Sequence, residues 1–468
     1  MDLTGKRVYV IGLGAYGTGS AVARVAQARG ACVTVADQKT EAELAARIEE
    51  LAGRPIIFEL GERAYAGLLR ADMVVVSPGV PPEIEPLQRA RAQGIPVIGE
   101  IELAYRLSTA PIIAIAGTKG KTTTTSLIAA LLTGAGVTAR VGGNIGAPLI
   151  EQAVVAAPDE YLVAEVSSFQ LETIDQFRPK AAVFLNFHPD HLDRHGTLDA
   201  YWQAKLRIFE NQRASDFAVL NFGDPKLQAL APSLRARVIS YASAADAETD
   251  ACLRDGRLCI SRALDGAGAG AGECRPVFPA SELRLVGRHN VENALAALAT
   301  VAALGVSLNE AAATLRTFTP IPNRLEDVAT VKGVTFINDS QATTPAPVLA
   351  ALDAMEGPVA LIAGGRAKGA DLGELAGAIA RRVDHLVTIG EAGPEIAARA
   401  TAAGARSVER AESMAEAVEA AYRHVAAGGV VLLSPACASF DMFEGMAQRG
   451  EAFRQAVRAL QEREEKSA

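Results

Sequence analysis

Short apolar runs alternate along the whole chain with Ala-rich segments whose apolar residues recur at helical spacing. RVYVI (7–11) reads as a buried strand, followed by a glycine-rich turn and an alanine-rich helix to about Gly30. Further strands are expected in ACVTVAD, DMVVVSPG and IPVIGE, and this β-α-β alternation predicts a parallel, doubly wound sheet ending near Gly99. The pattern restarts with PIIAIAG (111–117), a glycine-bearing loop and the helix TTTTSLIAALLTGAG; YLVAEV, AAVFLN and FAVLN follow as strands. GRHNVENALAALATVAALG predicts a long helix, and GAGAGAG (266–272) a hairpin tip or surface loop without chemistry. From near Ile321, VTFIND, PVALIAGG, HLVTIG and GGVVLLSPA are strands between further Ala-rich helices. The reading is an α/β protein of three units in series, 1–99, 100–320 and 321–468.

Composition adds boundaries to this picture. A chain of 468 residues suggests about three domains. A hydrophobic fraction of 49% and a charged fraction of 21% suit a globular protein that needs no disulfide or structural metal for its core. The formal net charge of −8 argues against a nucleic-acid partner. No run reaches the roughly 18–20 apolar residues that span a bilayer, and the first residues lack a secretory pattern, so a cytoplasmic location without a membrane partner is expected. The five cysteines, Cys32, Cys252, Cys259, Cys274 and Cys437, include no CxxC pair and read as reduced thiols.

Two glycine loops carry the first chemistry. Gly12, Gly14 and Gly17 have G-x-G-x-x-G spacing between a strand and a helix, and Asp37 ends the next strand. Glycines allow close backbone approach to a diphosphate, and a helix N-terminus favours anions. Alone, this loop suggests an NAD-dependent oxidoreductase; a structural tight turn is the bland alternative. A second phosphate loop and the lack of a hydride-transfer constellation favour a different nucleotide diphosphate.

That second loop is Gly117, Thr118, Lys119, Gly120, Lys121, Thr122 and Thr123. Ile115 stands where the strict P-loop pattern has glycine, so the motif is a shortened variant. Its backbone N–H groups can cradle phosphate oxygens, Lys121 can face the β/γ-phosphates, and the Thr122 hydroxyl can ligate Mg²⁺. Glu165, ending YLVAEV, can hold a metal or its water, or be an ordinary strand-end carboxylate. HPDHLDRH carries His188, His191 and His195 beside Asp190 and Asp193. Without a cysteine it fits no common zinc pattern, and one histidine touching Mg²⁺ or substrate is expected, with a closed zinc site or plain surface residues as the alternatives. Lys205 in YWQAKLRIFE, read unaided, is a solvated lysine on an amphipathic helix.

Taken together, GTKGKTT, AEVSSFQLE, DHLDRH, AKLRIFE, GRHNVENALAA, PNRLE, INDSQAT, GGRAKGADL and SPACASFDMFEGMAQRG resemble the Mur ligase family over nearly the whole chain. The match is closest to the D-glutamate-adding members. The resemblance implies an N-terminal Rossmann-like UDP-binding domain, a central P-loop ATPase-type domain and a C-terminal Rossmann-like domain that binds the amino acid. It implies ATP-dependent ligation of D-glutamate to UDP-N-acetylmuramoyl-L-alanine through an acyl phosphate, two Mg²⁺ ions and a monomer. Gly14, Gly17, Asp37, Ser77, Gly79 and Asn144 then serve the UDP substrate. Asn293, Arg324 and Asp339 join the loop residues around ATP. Thr343, Lys368 and Ser439 face the amino acid. Lys121, Glu165, His191 and Lys205 are the catalytic set, with Thr122, Glu165, His191 and a carbamate on Lys205 as metal ligands.

The sequence departs from the family pattern in places. Gln341 stands where the D-glutamate ligases usually carry lysine, which removes one positive charge near the amino-acid pocket; Met446 replaces a frequent phenylalanine. Ala15 and Tyr16 replace a leucine–threonine pair, and Gln38 and Lys39 a threonine–arginine pair. Competing readings are a Mur-type ligase for another amino acid or L-glutamate, a folate-polyglutamylating relative, a non-catalytic nucleotide switch, and the NAD-dependent oxidoreductase.

Overall fold

Twenty strands, all parallel except at two sheet margins, organise the described residues into three sheets. The structure is a computed structural model and describes the chain except for residues 14–16, 145–146, 189–191, 245–248, 265–273, 286–287, 320–321, 356, 368–371 and 467–468. The GAGAGAG segment therefore lies outside the described residues. The chain forms two compact units, Met1–Phe318 and Thr319–Ala468.

The first sheet comprises β1 (Arg7–Ile11), β2 (Cys32–Asp37), β3 (Ile56–Leu60), β4 (Met73–Val76) and β5 (Val97–Gly99) in the order β3-β2-β1-β4-β5. All pairings are parallel. IIFEL, which forms β3, was not expected from the sequence: its residues are only partly covered, as befits an edge strand. The helix predicted to reach Gly30 spans Thr18–Ala28. Chain order reverses between β1 and β4, and such a switch point opens a crevice at the carboxyl ends of the strands.

The second sheet begins with β6 (Ile112–Ala116), β7 (Ala139–Gly143), β8 (Tyr161–Glu165), β9 (Ala181–Phe184) and β10 (Phe217–Asn221). It continues through β11 (Arg237–Ala242), β12 (Ala251–Arg254), β13 (Arg257–Ser261) and β14 (Cys274–Pro279). The order is β14-β13-β12-β11-β10-β9-β6-β8-β7, antiparallel only across β12-β13-β14. All five residues of β6 are buried, because helices cover both sheet faces. The predicted long helix spans Arg288–Ala303 and is buried continuously from Asn293 to Ala302, so it is a core element, without the polar face of a surface helix. Strand β6 lies between β8 and β9, which makes it this sheet's switch point.

The second unit holds β15 (Glu326–Val331), β16 (Val334–Asn338), β17 (Val359–Gly364), β18 (His385–Ile389), β19 (Val408–Arg410) and β20 (Val430–Leu433). Their order is β15-β16-β20-β17-β18-β19, with only β15-β16 antiparallel. All five cysteines are free thiols: Cys32 is exposed, Cys274 intermediate, and Cys252, Cys259 and Cys437 buried. Burial pushes the Cys252 thiol up to about 12 and the Cys437 thiol to about 11. No helix of the described residues is long and apolar enough to cross a membrane.

Candidate active site

The phosphate loop leaves the carboxyl end of β6, and its glycines are sterically required. Gly117 has φ +149, and a Cβ there would lie 3.0 Å from the Leu185 Cβ. Gly120 has φ +82, and a Cβ would come within 2.4 Å of Asn293 Oδ1. Gly120 then caps the helix Lys121–Gly134. We expect Gly120→Ala to raise KM for ATP at least about tenfold and to cost about 1–2 kcal/mol of stability, because both the left-handed backbone and the Asn293 contact oppose a methyl group. Initial-rate kinetics and thermal denaturation measure the two effects; an unchanged KM would separate loop shape from nucleotide binding.

Asn186, just past β9, clamps this loop. Its Oδ1 accepts from the backbone N–H of Thr118 (3.1 Å) and Lys119 (2.8 Å), while its Nδ2 donates to Lys119 O (3.0 Å). Sequence reading passed over Asn186, although its place directly after a predicted strand was the available signal. The Thr118 hydroxyl accepts from the His188 backbone N–H at 3.0 Å. Lys119 is exposed and Thr123 half-buried.

The chemistry-bearing side chains meet around this loop. Lys121 Nζ donates to Gly117 O (3.0 Å) and Thr118 O (2.9 Å). Lys205 Nζ donates to the same Gly117 O at 2.8 Å and lies 4.8 Å from the centre of the Tyr201 ring. Lys205 is only 2% exposed, so the solvated reading of the bare sequence is wrong. Its helix, Leu198–Leu206, also buries Tyr201, Trp202 and Ala204 and has no clean polar face. Glu165, also 2% exposed, accepts from Thr122 Oγ1 at 2.7 Å and from Asn144 Nδ2 at 3.0 Å. A strand-end carboxylate in a surface position is thereby excluded. The following SSFQ closes a capping box between Ser167 and Gln170, which ends β8 sharply after Glu165. Asn293 Oδ1 accepts from Thr124 Oγ1 at 3.2 Å, beneath the helix start.

Of the histidines of HPDHLDRH, the structure describes His188 and His195. His188 is exposed, and His191 lies outside the described residues. His195 is no surface residue: its side chain is 3% exposed, pairs through Nε2 with Ser168 Oγ at 2.9 Å and stacks on Phe169.

At the first sheet's switch point, Gly12 has φ +83, and the Ser77 hydroxyl donates to Gly12 O. Gly17 caps the following helix, while Gly14 lies outside the described residues, as do Ala15 and Tyr16. Gly19 was missed by the fingerprint: a Cβ there would be 2.0 Å from Gly12 O, so it sets how closely the helix meets the loop. Asp37 accepts backbone N–H bonds from Leu13 and Lys39, both at 3.0 Å, and so shapes the loop itself. Gly79 is exposed, and Arg194 Nη2 donates to Val80 O at 3.2 Å. Arg194, also not singled out from sequence, thus ties segment 77–80 to the central domain.

In the second unit, Asp339 lies just beyond β16 and accepts from Ser434 Oγ (2.8 Å) and the Leu325 N–H (3.2 Å). Burial pushes its carboxyl up to about 6. A carboxyl raised in the folded state favours folding fully below its unfolded value of 3.8, and that contribution is lost as pH rises through 6. We expect Asp339→Asn to remove a stability decrease on the order of 3 kcal/mol between these pH values. Urea denaturation of both proteins across the window checks this; parallel pH profiles would refute it. Arg324 is exposed, Thr343 half-buried and Ser439 buried, whereas Lys368 lies outside the described residues.

Arg449 is a further residue that sequence reading did not single out. It is fully buried and donates to Ser340 Oγ (3.0 Å), Ser340 O (2.9 Å) and Cys437 O (3.0 Å). It thereby locks the loop after β16 to the loop after β20. Gln341 holds Asn323 O through its backbone N–H at 2.9 Å, and Met446 is 44% exposed.

A glycine loop at the switch point of an α/β sheet, with two lysines and a buried carboxylate around it, is suited to hold a nucleoside triphosphate. Residues 6–99 match the Mur ligase MurD-like N-terminal domain, 115–301 the Mur ligase middle domain, and 323–437 the Mur ligase glutamate ligase domain. The chain belongs to the Mur ligase family and is an ATP-dependent ligase that forms a C–N bond.

Among its relatives is the UDP-N-acetylmuramoylalanine–D-glutamate ligase of Geotalea uraniireducens, 44% identical over 98% of this chain and 99% of that protein. The enzyme of the same name from Pelotomaculum thermopropionicum is also 44% identical, over 98% and 99% of the two chains. The crystal structure of a murein peptide ligase from Psychrobacter arcticus shares the fold at a TM-score of 0.51 and 21% identity, covering 97% of this chain and 99% of its own.

Proposed function

We propose that this protein joins D-glutamate to UDP-N-acetylmuramoyl-L-alanine at the expense of ATP, as a cytoplasmic, monomeric enzyme of peptidoglycan precursor synthesis. The observation that carries this reading is the convergence of Lys121, Lys205, Thr122 and Glu165 on one phosphate loop, in a chain whose full-length relatives bear that name. Family membership sets aside the NAD-dependent oxidoreductase and the nucleotide switch.

The loop N–H groups and Lys121 hold the triphosphate and offset charge as the γ-phosphoryl group passes to the acceptor carboxylate. The amine of D-glutamate then attacks the acyl phosphate, and phosphate leaves as the amide forms. The Thr122 hydroxyl and Glu165 carboxylate, 2.7 Å apart, form an oxygen donor set that suits Mg²⁺. His191 and a carbamate on Lys205 would complete the ligands of two Mg²⁺ ions. Bound there, the ions would supply Lewis-acid polarisation of phosphoryl oxygens. Two cationic side chains on one carbonyl oxygen, Gly117 O, repel each other, and carbamylation of Lys205 would relieve that repulsion.

Around this centre, Gly117 to Thr123 with Asn293, Arg324 and Asp339 serve ATP. Gly14, Gly17, Asp37, Ser77, Gly79 and Asn144 serve the UDP substrate, and Thr343, Lys368 and Ser439 the amino acid. The domain limits we assign are 1–99, 100–320 and 321–468. A different amino acid is the second reading, favoured by the uncharged Gln341 and by Met446. Phosphate release with D-Glu, L-Glu, L-Ala, L-Lys and diaminopimelate, each offered with UDP-muramoyl acceptors, decides between them. Release with D-Glu and UDP-N-acetylmuramoyl-L-alanine alone is expected; release with none of the pairs sinks the proposal.

A further inference from the structure

Three potential ligands meet at the β19 edge of the third sheet. His385 opens β18, Glu409 lies in β19, and His424 ends the helix Met414–Arg423. Each offers an atom within 4.8 Å of the other two. His385 is 2% exposed, and its Nε2 is buried with no hydrogen-bond partner. A buried polar atom in that state is costly unless something binds it.

The surroundings fit a cation. His424 Nδ1 lies 2.9 Å from Ala420 O, which can only accept, so Nδ1 carries the proton and Nε2 keeps its lone pair. His385 Nδ1 lies 2.9 Å from Ser407 Oγ, which can accept in the same way. Metal-bound histidines are oriented by such a partner on the second ring nitrogen. Burial and the neighbouring His424 also lower the His385 pKa, which favours the neutral ring a metal requires. Arg423 takes one Glu409 oxygen (3.1 Å), leaving Oε2 directed at His385 Nε2, 3.6 Å away.

We infer that His385, Glu409 and His424 form a binding site for one divalent transition-metal ion of the zinc type. Two imidazoles and one carboxylate suit Zn²⁺ and its neighbours, whereas Mg²⁺ prefers oxygen ligands. The site is therefore chemically distinct from the ligase centre. The two rings stack at 3.8 Å with a 12° interplanar angle. An ion lying in the planes of both rings tilts the exposed His424 ring out of that stack. The bound ion ties β18, β19 and the helix end together, and so stabilises the third domain.

The test uses the full chain, dialysed against chelator and saturated with Mg²⁺. Zn²⁺ titration by calorimetry is expected to show a site that weakens at least tenfold in His424→Ala and in Glu409→Gln. Both variants should keep their metal-free melting temperature and ligase activity. Free Zn²⁺ about a hundredfold above its Kd should raise the wild-type Tm by roughly 5 °C and leave that of His424→Ala unchanged. In protein labelled only at histidine, the His424 ring resonances should move on binding. No Zn²⁺ uptake, or uptake equal in wild type and both variants, overturns the inference.

Discussion

Lys121→Ala is expected to lower ligation by about 10³-fold or more while leaving UDP-substrate affinity within about twofold. The two effects separate because, in the proposed assignment, the triphosphate lies on the second sheet and the diphosphate end of the UDP substrate on the first. Lys121 opens the helix after β6 and reaches the Gly117 and Thr118 carbonyls. The UDP end of the acceptor is assigned to the loops after β1 and β4, where Ser77 braces Gly12, and Asn144 is its one assigned residue on the second sheet. Loss of the ammonium removes positive charge where negative charge redistributes during phosphoryl transfer, so kcat should fall more than KM for ATP rises. Phosphate release gives the first quantity, and calorimetric titration with the UDP substrate the second. Equal loss of catalysis and UDP-substrate binding would break the assignment of separate loops.

The Lys205→Ala variant should lose about 10²–10³-fold in kcat and recover part of it with millimolar formate or acetate. The reasoning starts from burial: a lysine 2% exposed, 2.8 Å from Gly117 O, is poorly explained as a surface charge. If its working form is an anionic carbamate, the shortened side chain leaves room for a small carboxylate to restore that anion. Lys205→Arg puts a permanent cation there, fills the space and should show no rescue. Recovery in neither variant at any carboxylate concentration would remove the carbamate from the mechanism.

Much of the fold was legible because its central strands are continuous apolar runs. IIAIA, VALIAG and HLVTI read directly from their buried patterns. The marginal strands did not announce themselves. β14 is CRPVFP, whose two prolines argue against a ladder, and β15 is EDVATV, mostly half-covered. Each forms because a neighbouring strand supplies pairing that local pattern cannot reveal. β19 is three residues long and similarly silent.

The candidate site divides along the same line. Glycine spacing marks both loops, since backbone conformation there admits little else. The roles of Asn186, Gly19 and Arg449 depend on what lies opposite them in space. Lys205 shows the limit most sharply: on helical spacing it is a surface lysine, and only the family motif or the folded chain moves it inside.

The uneven cover over the five thiols has a practical consequence. Cys32 stands open at the start of β2, whereas Cys252 and Cys437 are shielded and hold their protons tightly. A maleimide dye at neutral pH should therefore mark Cys32 first. The native chain comes with its own attachment point for a fluorescent reporter on the first sheet.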